Sequence, residues 1–193
     1  MKKFFYLLTI TLIVGSVSLS AQDFAKKGIW EFGGTVGFNS TTFVFDGESG
    51  DDALTTFWFN PYLGYFIING FEIGLIPSFS TSSFGDVSST DFGILFAPAW
   101  NFDLHNCWYP FIEGRIGYNT SSYDDGDSET EDPSSSGLQW GVRGGVKAQV
   151  GRNALVNFGI FYEQVTMDPE DTPYDRIGYN QFGIEAGVSI FIP

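Results

Sequence analysis

From Gly28 to Asn39 the chain alternates every second residue. Trp30, Phe32, Gly34, Val36 and Phe38 fall on one face, and Glu31, Gly33, Thr35, Gly37 and Asn39 fall on the other. A period of two in a stretch rich in aromatic residues and glycine predicts a β-strand. The pattern recurs seven more times. Phe57, Phe59, Leu63 and Tyr65 alternate with Trp58, Asn60, Tyr62 and Gly64, then Phe71, Ile73, Leu75 and Phe79 with Glu72, Gly74 and Ser78. Phe92, Ile94, Phe96 and Trp100 oppose Gly93, Ala97, Ala99 and Asn101, while Ile112, Ile116 and Tyr118 oppose Glu113, Arg115, Gly117 and Asn119. The sixth strand sets Leu138, Trp140, Val142 and Val146 against Gln139, Gly141, Arg143 and Lys147. The seventh sets Val156, Phe158, Ile160 and Tyr162 against Asn157, Gly159, Phe161 and Glu163. The last sets Phe182, Ile184, Val188, Ile190 and Ile192 against Gln181, Gly183, Glu185, Gly187 and Ser189.

Eight strands leave the question of which face points inward. One face is almost uninterrupted Phe, Ile, Leu and Trp, whereas the other is Gly, Asn, Gln, Ser and charges of both signs. An eight-stranded barrel has an interior only just wide enough to be filled by side chains. Eight sets of large apolar groups would overfill it, while the small polar set fits. The apolar face is therefore assigned to lipid, the inverse of a soluble barrel. The expected fold is all-β: an eight-stranded antiparallel up-and-down transmembrane β-barrel with long external loops and short periplasmic turns.

Connection lengths agree with that arrangement. Long segments of about 15, 10, 17 and 13 residues begin near Ser40, Thr81, Thr120 and Thr166. They alternate with short turns at Asn69-Gly70, Asp103 to Cys107, and Gly151-Arg152-Asn153, the long-out and short-in alternation of membrane barrels. Pro61, Pro77, Pro98 and Pro110 fall inside expected strands, where each removes a ladder donor, so bulges or frayed ends near the periplasmic rim are expected there.

The N-terminus adds a compartment. Lys2 and Lys3 precede an apolar run from Phe4 to Val14 and a small-residue stretch ending at Ala21, the layout of a secretory signal peptide. The run is too short to span a bilayer as a helix. Residues 1–21 are expected to be removed, leaving residues 22–193 as the barrel domain and taking the formal charge from −14 to −16 as the two lysines leave.

Charge then separates the two ends. The four long segments hold 16 of the 23 acidic residues, among them Asp46, Asp86, Asp91, Asp124, Asp125, Asp168 and Asp175, balanced only by Arg176. Lys26, Lys27 and Arg152 lie at the other end. With 9 basic residues against 23 acidic ones, a nucleic-acid partner is excluded. One cysteine, Cys107, permits no internal disulfide and no Cys-based zinc site.

The chain resembles the small outer-membrane β-barrel proteins of Gram-negative bacteria, similar to the transmembrane domain of outer-membrane protein A and its X-type relatives. The resemblance rests on Pro61-Tyr62-Leu63-Gly64-Tyr65-Phe66, on Tyr109-Pro110-Phe111-Ile112-Glu113-Gly114, and on the last strand. There Glu185, Gly187, Ile190 and Ile192 match the polar-x-Gly-x-x-apolar-x-apolar signal read by the barrel-assembly machinery, although the chain ends on Pro193 where the family commonly ends on an aromatic. The resemblance implies a monomer integral to the outer membrane with periplasmic termini. Its surroundings would be membrane lipid and lipopolysaccharide, and the barrel-assembly machinery would be its partner during biogenesis.

Candidate chemistry is confined to the inner face. Glu31, Glu72, Glu113, Glu163 and Glu185 face inward with Arg115, Arg143 and Lys147. Buried charges persist when paired, so interior salt bridges that close the lumen are expected, with a gate for a narrow ion path as the alternative. The acidic run Asp124-Asp125-Gly126-Asp127-Ser128-Glu129 lacks the spacing of a calcium loop and reads as a solvated tip. The single histidine, His105, sits in a short turn away from any site that needs a base, so no enzymatic role, metal or cofactor is expected. Trp30, Trp100, Trp108 and Trp140 read as interfacial girdle residues. Function is expected to be structural and display-like (envelope integrity, adhesion or host interaction through acidic loops), with a gated pore as the alternative.

Overall fold

The computed structural model describes residues 24–45, 48–85, 87–104, 107–124, 134–169 and 177–193. The expected signal peptide, Asp46, Asp86, His105, the acidic run from Asp125 to Asp132, Asp175 and Arg176 lie outside them. Eight strands form: β1 (Trp30–Phe45), β2 (Glu48–Ile68), β3 (Phe71–Phe84), β4 (Val87–Asn101), β5 (Trp108–Asp124), β6 (Ser134–Gln149), β7 (Ala154–Pro169) and β8 (Ile177–Ile192). Each pairs antiparallel with its neighbours in sequence, and β1 meets β8 to close the barrel.

The alternation in the sequence becomes the two sides of the wall. Phe32, Phe59, Ile94, Ile116, Val142 and Phe158 are exposed on the outside, while Glu31, Glu113, Arg115, Arg143, Lys147 and Gln139 are buried inside. Among the described residues no helix is long and apolar enough to cross a membrane. Trp30 against Tyr65 and Phe71 against Trp100 form an aromatic belt at the short-turn end, with Trp108 beside it. Trp140 stands further up the wall, against Tyr162.

Two details differ from expectation. The strands run on past the alternating segments, so that Ser40 pairs with Thr55 and Thr41 with Leu54, inside what reads from sequence as the first long loop. The backbone ladder alone carries the hairpin there, past the segment in which the sequence alternates. Asp91 is carried with this extension. It lies in β4 rather than in a loop and accepts a hydrogen bond from Ser80 at 2.9 Å.

The prolines also behave differently. The two register shifts fall between Thr42 and Val44 and between Phe66 and Ile68, not at a proline. In the β2–β3 ladder, register is the same on both sides of a gap between Phe59↔Phe79 and Leu63↔Leu75, which sets Pro61 opposite Pro77. Two missing donors thus share one interruption at mid-wall, away from the rim. Pro98 sits in a similar gap between Phe96↔Ile116 and Ala99↔Glu113, and only Pro110 lies at a ladder end, next to Asn101↔Phe111. A proline paired through one edge, as Pro77 is with Ile94, needs no bulge on the other.

Residues 24–29 cross the mouth at the short-turn end. Gly28 N–H donates to the Phe66 carbonyl at 2.8 Å, Phe66 N–H to Ile29 at 3.0 Å, and Gly70 N–H to Ala25 at 2.8 Å. Gly70 holds φ +82° in the Asn69-Gly70 turn, a conformation glycine adopts without steric cost. This lacing buries Phe24 completely, edge-on to Phe66 and Tyr109 with ring centroids 5.1 and 5.0 Å away. Ile29, Leu155 and Phe191 complete an apolar cluster at the base of the lumen.

Candidate functional site: the lumen and its charged network

Above that apolar base eight charged side chains pair in two stacked groups. The lower group centres on Lys147 of β6, whose Nζ lies 2.6 Å from Glu31 and 3.1 Å from Glu72. Its carboxylates are held from both sides: Ser189 donates to Glu31 at 2.7 Å and Asn101 to Glu72 at 3.1 Å. The ammonium also lies over the rings of Phe24, Tyr62 and Phe111, at 5.3 to 5.5 Å from their centroids. Cation–π contact of this kind supports a charge removed from water.

The upper group centres on Arg115 of β5. Its guanidinium reaches Glu113 at 2.8 Å, Glu163 at 2.7 Å and Glu185 at 3.0 Å, so one cation joins strands β5, β7 and β8. A planar fork with five donors can do this where a lysine cannot. Arg143 belongs to the same group, 3.3 Å from Glu185 and 3.9 Å from Glu113, donating to Asn157 at 2.9 Å; it lies over Phe111 at 4.9 Å, the ring that Lys147 also faces. Glu163 also accepts from Gln139 at 3.1 Å.

The structure therefore places Glu31, Glu72 and Lys147 in one ion-pair group and Glu113, Arg115, Arg143, Glu163 and Glu185 in a second, stacked on either side of the Phe111 ring. Five carboxylates meet three cations. Glycines on the facing strands make the space: a Cβ at Gly74 would come within 2.7 Å of the Tyr62 ring, and one at Gly183 within 2.8 Å of Phe161. The remaining room among these groups is a cavity of about 20 Å³, bordered by Tyr62, Ile76, Arg143, Lys147 and Ser189. That is space for about one water molecule.

Sequence reasoning missed the apolar part of this interior. Phe66, Tyr109, Phe111, Leu155 and Phe191 are buried in the lumen, as are Ile76 and Leu95 somewhat higher. All of them stand on the inner parity of their strands, so the alternation that found the charges could have found them. The first five also lie within three residues of a strand end on the short-turn side.

Above Arg115 the lumen changes character. A chamber of about 510 Å³ is lined by Thr56, Asn60, Ser80, Asn119, Gln139 and Gln181, with Asp91, Glu163 and Glu185 as its carboxylates. Among the described residues no three His, Cys, Asp or Glu side chains gather as a metal-holding group. Of the residues expected to carry the assembly signal, Glu185 faces the Arg115 group, while Ile190 and Ile192 face outward and are exposed.

No protein-family model matches the sequence, and no curated protein sequence matches it. Solved structures do match the fold. Neisserial surface protein A aligns over 85% of this chain and 97% of its own, at 17% identity and a TM-score of 0.57. The outer membrane protein AlkL, determined in lipid bilayers, aligns over 90% of this chain and 94% of its own, at 10% identity and a TM-score of 0.54. At such identities the likeness carries the fold, an eight-stranded outer-membrane β-barrel.

Proposed function

We propose that this chain is an integral outer-membrane barrel that serves as a closed anchor, presenting its acidic external connections at the cell surface, with a lumen that does not conduct. The observation that carries the reading is the filling of the lower lumen: two stacked groups of paired charged side chains, eight in all, above an apolar base, with room for about one water between them. The exterior supports the membrane setting. A wall of exposed Phe, Ile, Leu and Val belted by Trp and Tyr is stable in lipid and would aggregate in water. On this reading residues 1–21 are the cleaved signal, and lipid and lipopolysaccharide surround the barrel. Glu185, Gly187, Ile190 and Ile192 address the barrel-assembly machinery, and the protein works as a monomer.

The test is electrical. The folded protein in a planar bilayer is expected to give no current steps, whereas Arg143→Ala, which removes the guanidinium held between Glu185, Glu113 and Asn157, is expected to leak. Regular ion-selective steps from the unaltered protein would favour the second reading, a narrow gated pore. That reading draws on one observation. Asn101 Oδ1 is buried without a hydrogen-bond partner beside the Lys147 group, so the packing of the lower lumen is not fully satisfied.

A further inference from the structure

The seam that closes the barrel is incomplete. The β1–β8 ladder runs for five residues, from Trp30↔Ile192 to Gly34↔Val188. Above it, β1 stays on β2 as far as Phe45 and β8 stays on β7 from Ile177, but among the described residues the two do not pair with each other. Both strands therefore present unpaired backbone N–H and C=O groups to the gap. Open edges do not persist against hydrocarbon, because nothing there can satisfy them. They persist where the gap opens on water or on a polar guest.

The chamber above Arg115 supplies that opening. Its lining includes Val36, Ile184 and Ala186, which belong to the outward faces of β1 and β8, so the chamber and the lipid-facing surface are continuous through the seam. Apolar exposure is concentrated at the same place. Phe182, Ile184, Phe38, Val36 and Val188, at 72, 67, 66, 65 and 65%, are the most exposed large apolar side chains described, and all lie on the two seam strands.

We propose that the seam is a side port and that the chamber binds a single-chain amphiphile with an uncharged, hydrogen-bonding head, its alkyl chain lying outward across Val36 and Ile184. The head chemistry follows from the lining. Arg115 is already occupied by three carboxylates and Asp91 adds a further negative charge, so an anionic head is repelled. Asn60, Gln139 and Gln181 offer neutral donors and acceptors. Asn119, 7% exposed, points to a hydroxyl: its Nδ2 bonds Gln139, but its Oδ1 is buried with no donor. This site goes beyond the closed anchor and does not depend on it, since the port joins the chamber to lipid without crossing the network below.

The test reads Trp58, the tryptophan that lines the chamber. In protein refolded into lipid nanodiscs, with Cys107→Ser and with Trp30, Trp100, Trp108 and Trp140 replaced by Phe, 11-bromoundecanol is added as quencher. If the β1–β8 register continued upward, Val36 would face Ala186, so Val36→Cys with Ala186→Cys locks the port when oxidised. Trp58 quenching is expected to be at least threefold stronger in the reduced than in the oxidised protein, and weaker with 11-bromoundecanoate than with the alcohol. Equal quenching in both redox states, or none in either, overturns the proposal, the first outcome placing access at the external mouth. As a separate variant with neither introduced cysteine, Ala186→Phe, which narrows the gap without a bond, is expected to lower quenching relative to the protein with Ala186 in place. Heat-modifiable gel mobility confirms that each variant is folded.

Discussion

The lower and upper halves of the lumen are built by the same alternation and end up opposite in character. Below, Phe24, Phe66 and Phe191 underlie Lys147, Arg143 and their carboxylates, and the space left between these groups is about 20 Å³. Above, serine, threonine, asparagine and glutamine line about 510 Å³. The other seven strand pairings run through both halves. Side-chain size on the inner face decides where an eight-stranded barrel is solid and where it is hollow, and the wall follows: β1 and β8 pair beside the solid part and separate beside the hollow one.

If the lower half is held by its charge network, its members should matter far more than residues of the chamber. Arg115→Met strands Glu113, Glu163 and Glu185 without their shared cation. Removing one partner of a buried ion pair costs about 3–5 kcal/mol, so urea unfolding of the folded barrel should shift by that amount, and a shift below about 1 kcal/mol would break the contrast. Phe24→Ala empties the centre of the apolar base. It should cost about 3 kcal/mol in the same measurement, typical of truncating a buried phenylalanine. Ser80→Ala removes a single hydrogen bond to Asp91 in the open chamber, and should change stability by about 1 kcal/mol or less.

The two halves were also unequally legible from sequence. Strand number, the outward face and the inward position of all eight charged residues follow from a period of two and from the argument that large apolar groups cannot fill so narrow a bore. Charges are conspicuous on an inner face, because each needs a partner. Phe66, Phe111 and Phe191 stand on the same face and passed unnoticed, since an aromatic beside an apolar stripe looks like part of the stripe. Residues 24–29 carry no alternation at all. Their place in the mouth depends on backbone hydrogen bonds to Phe66, at the end of β2, and to Gly70, in the turn that follows it. The open seam was hidden for a different reason: Thr35 to Phe38 and Ile184 to Gly187 alternate perfectly, and pairing with one neighbour is enough to maintain that pattern.

A thiol-accessibility comparison tests the solid-below, hollow-above division most directly. In a Cys107→Ser background reconstituted in liposomes, Ser80→Cys lines the chamber, while Ser189→Cys sits in the network against Glu31. A charged, water-soluble thiol reagent present on both sides of the membrane is expected to modify Ser80→Cys rapidly and to leave Ser189→Cys unmodified until the barrel is unfolded. Rapid modification of Ser189→Cys in the folded protein would contradict the account, because it would mean that water runs through the network that is held to close the lumen.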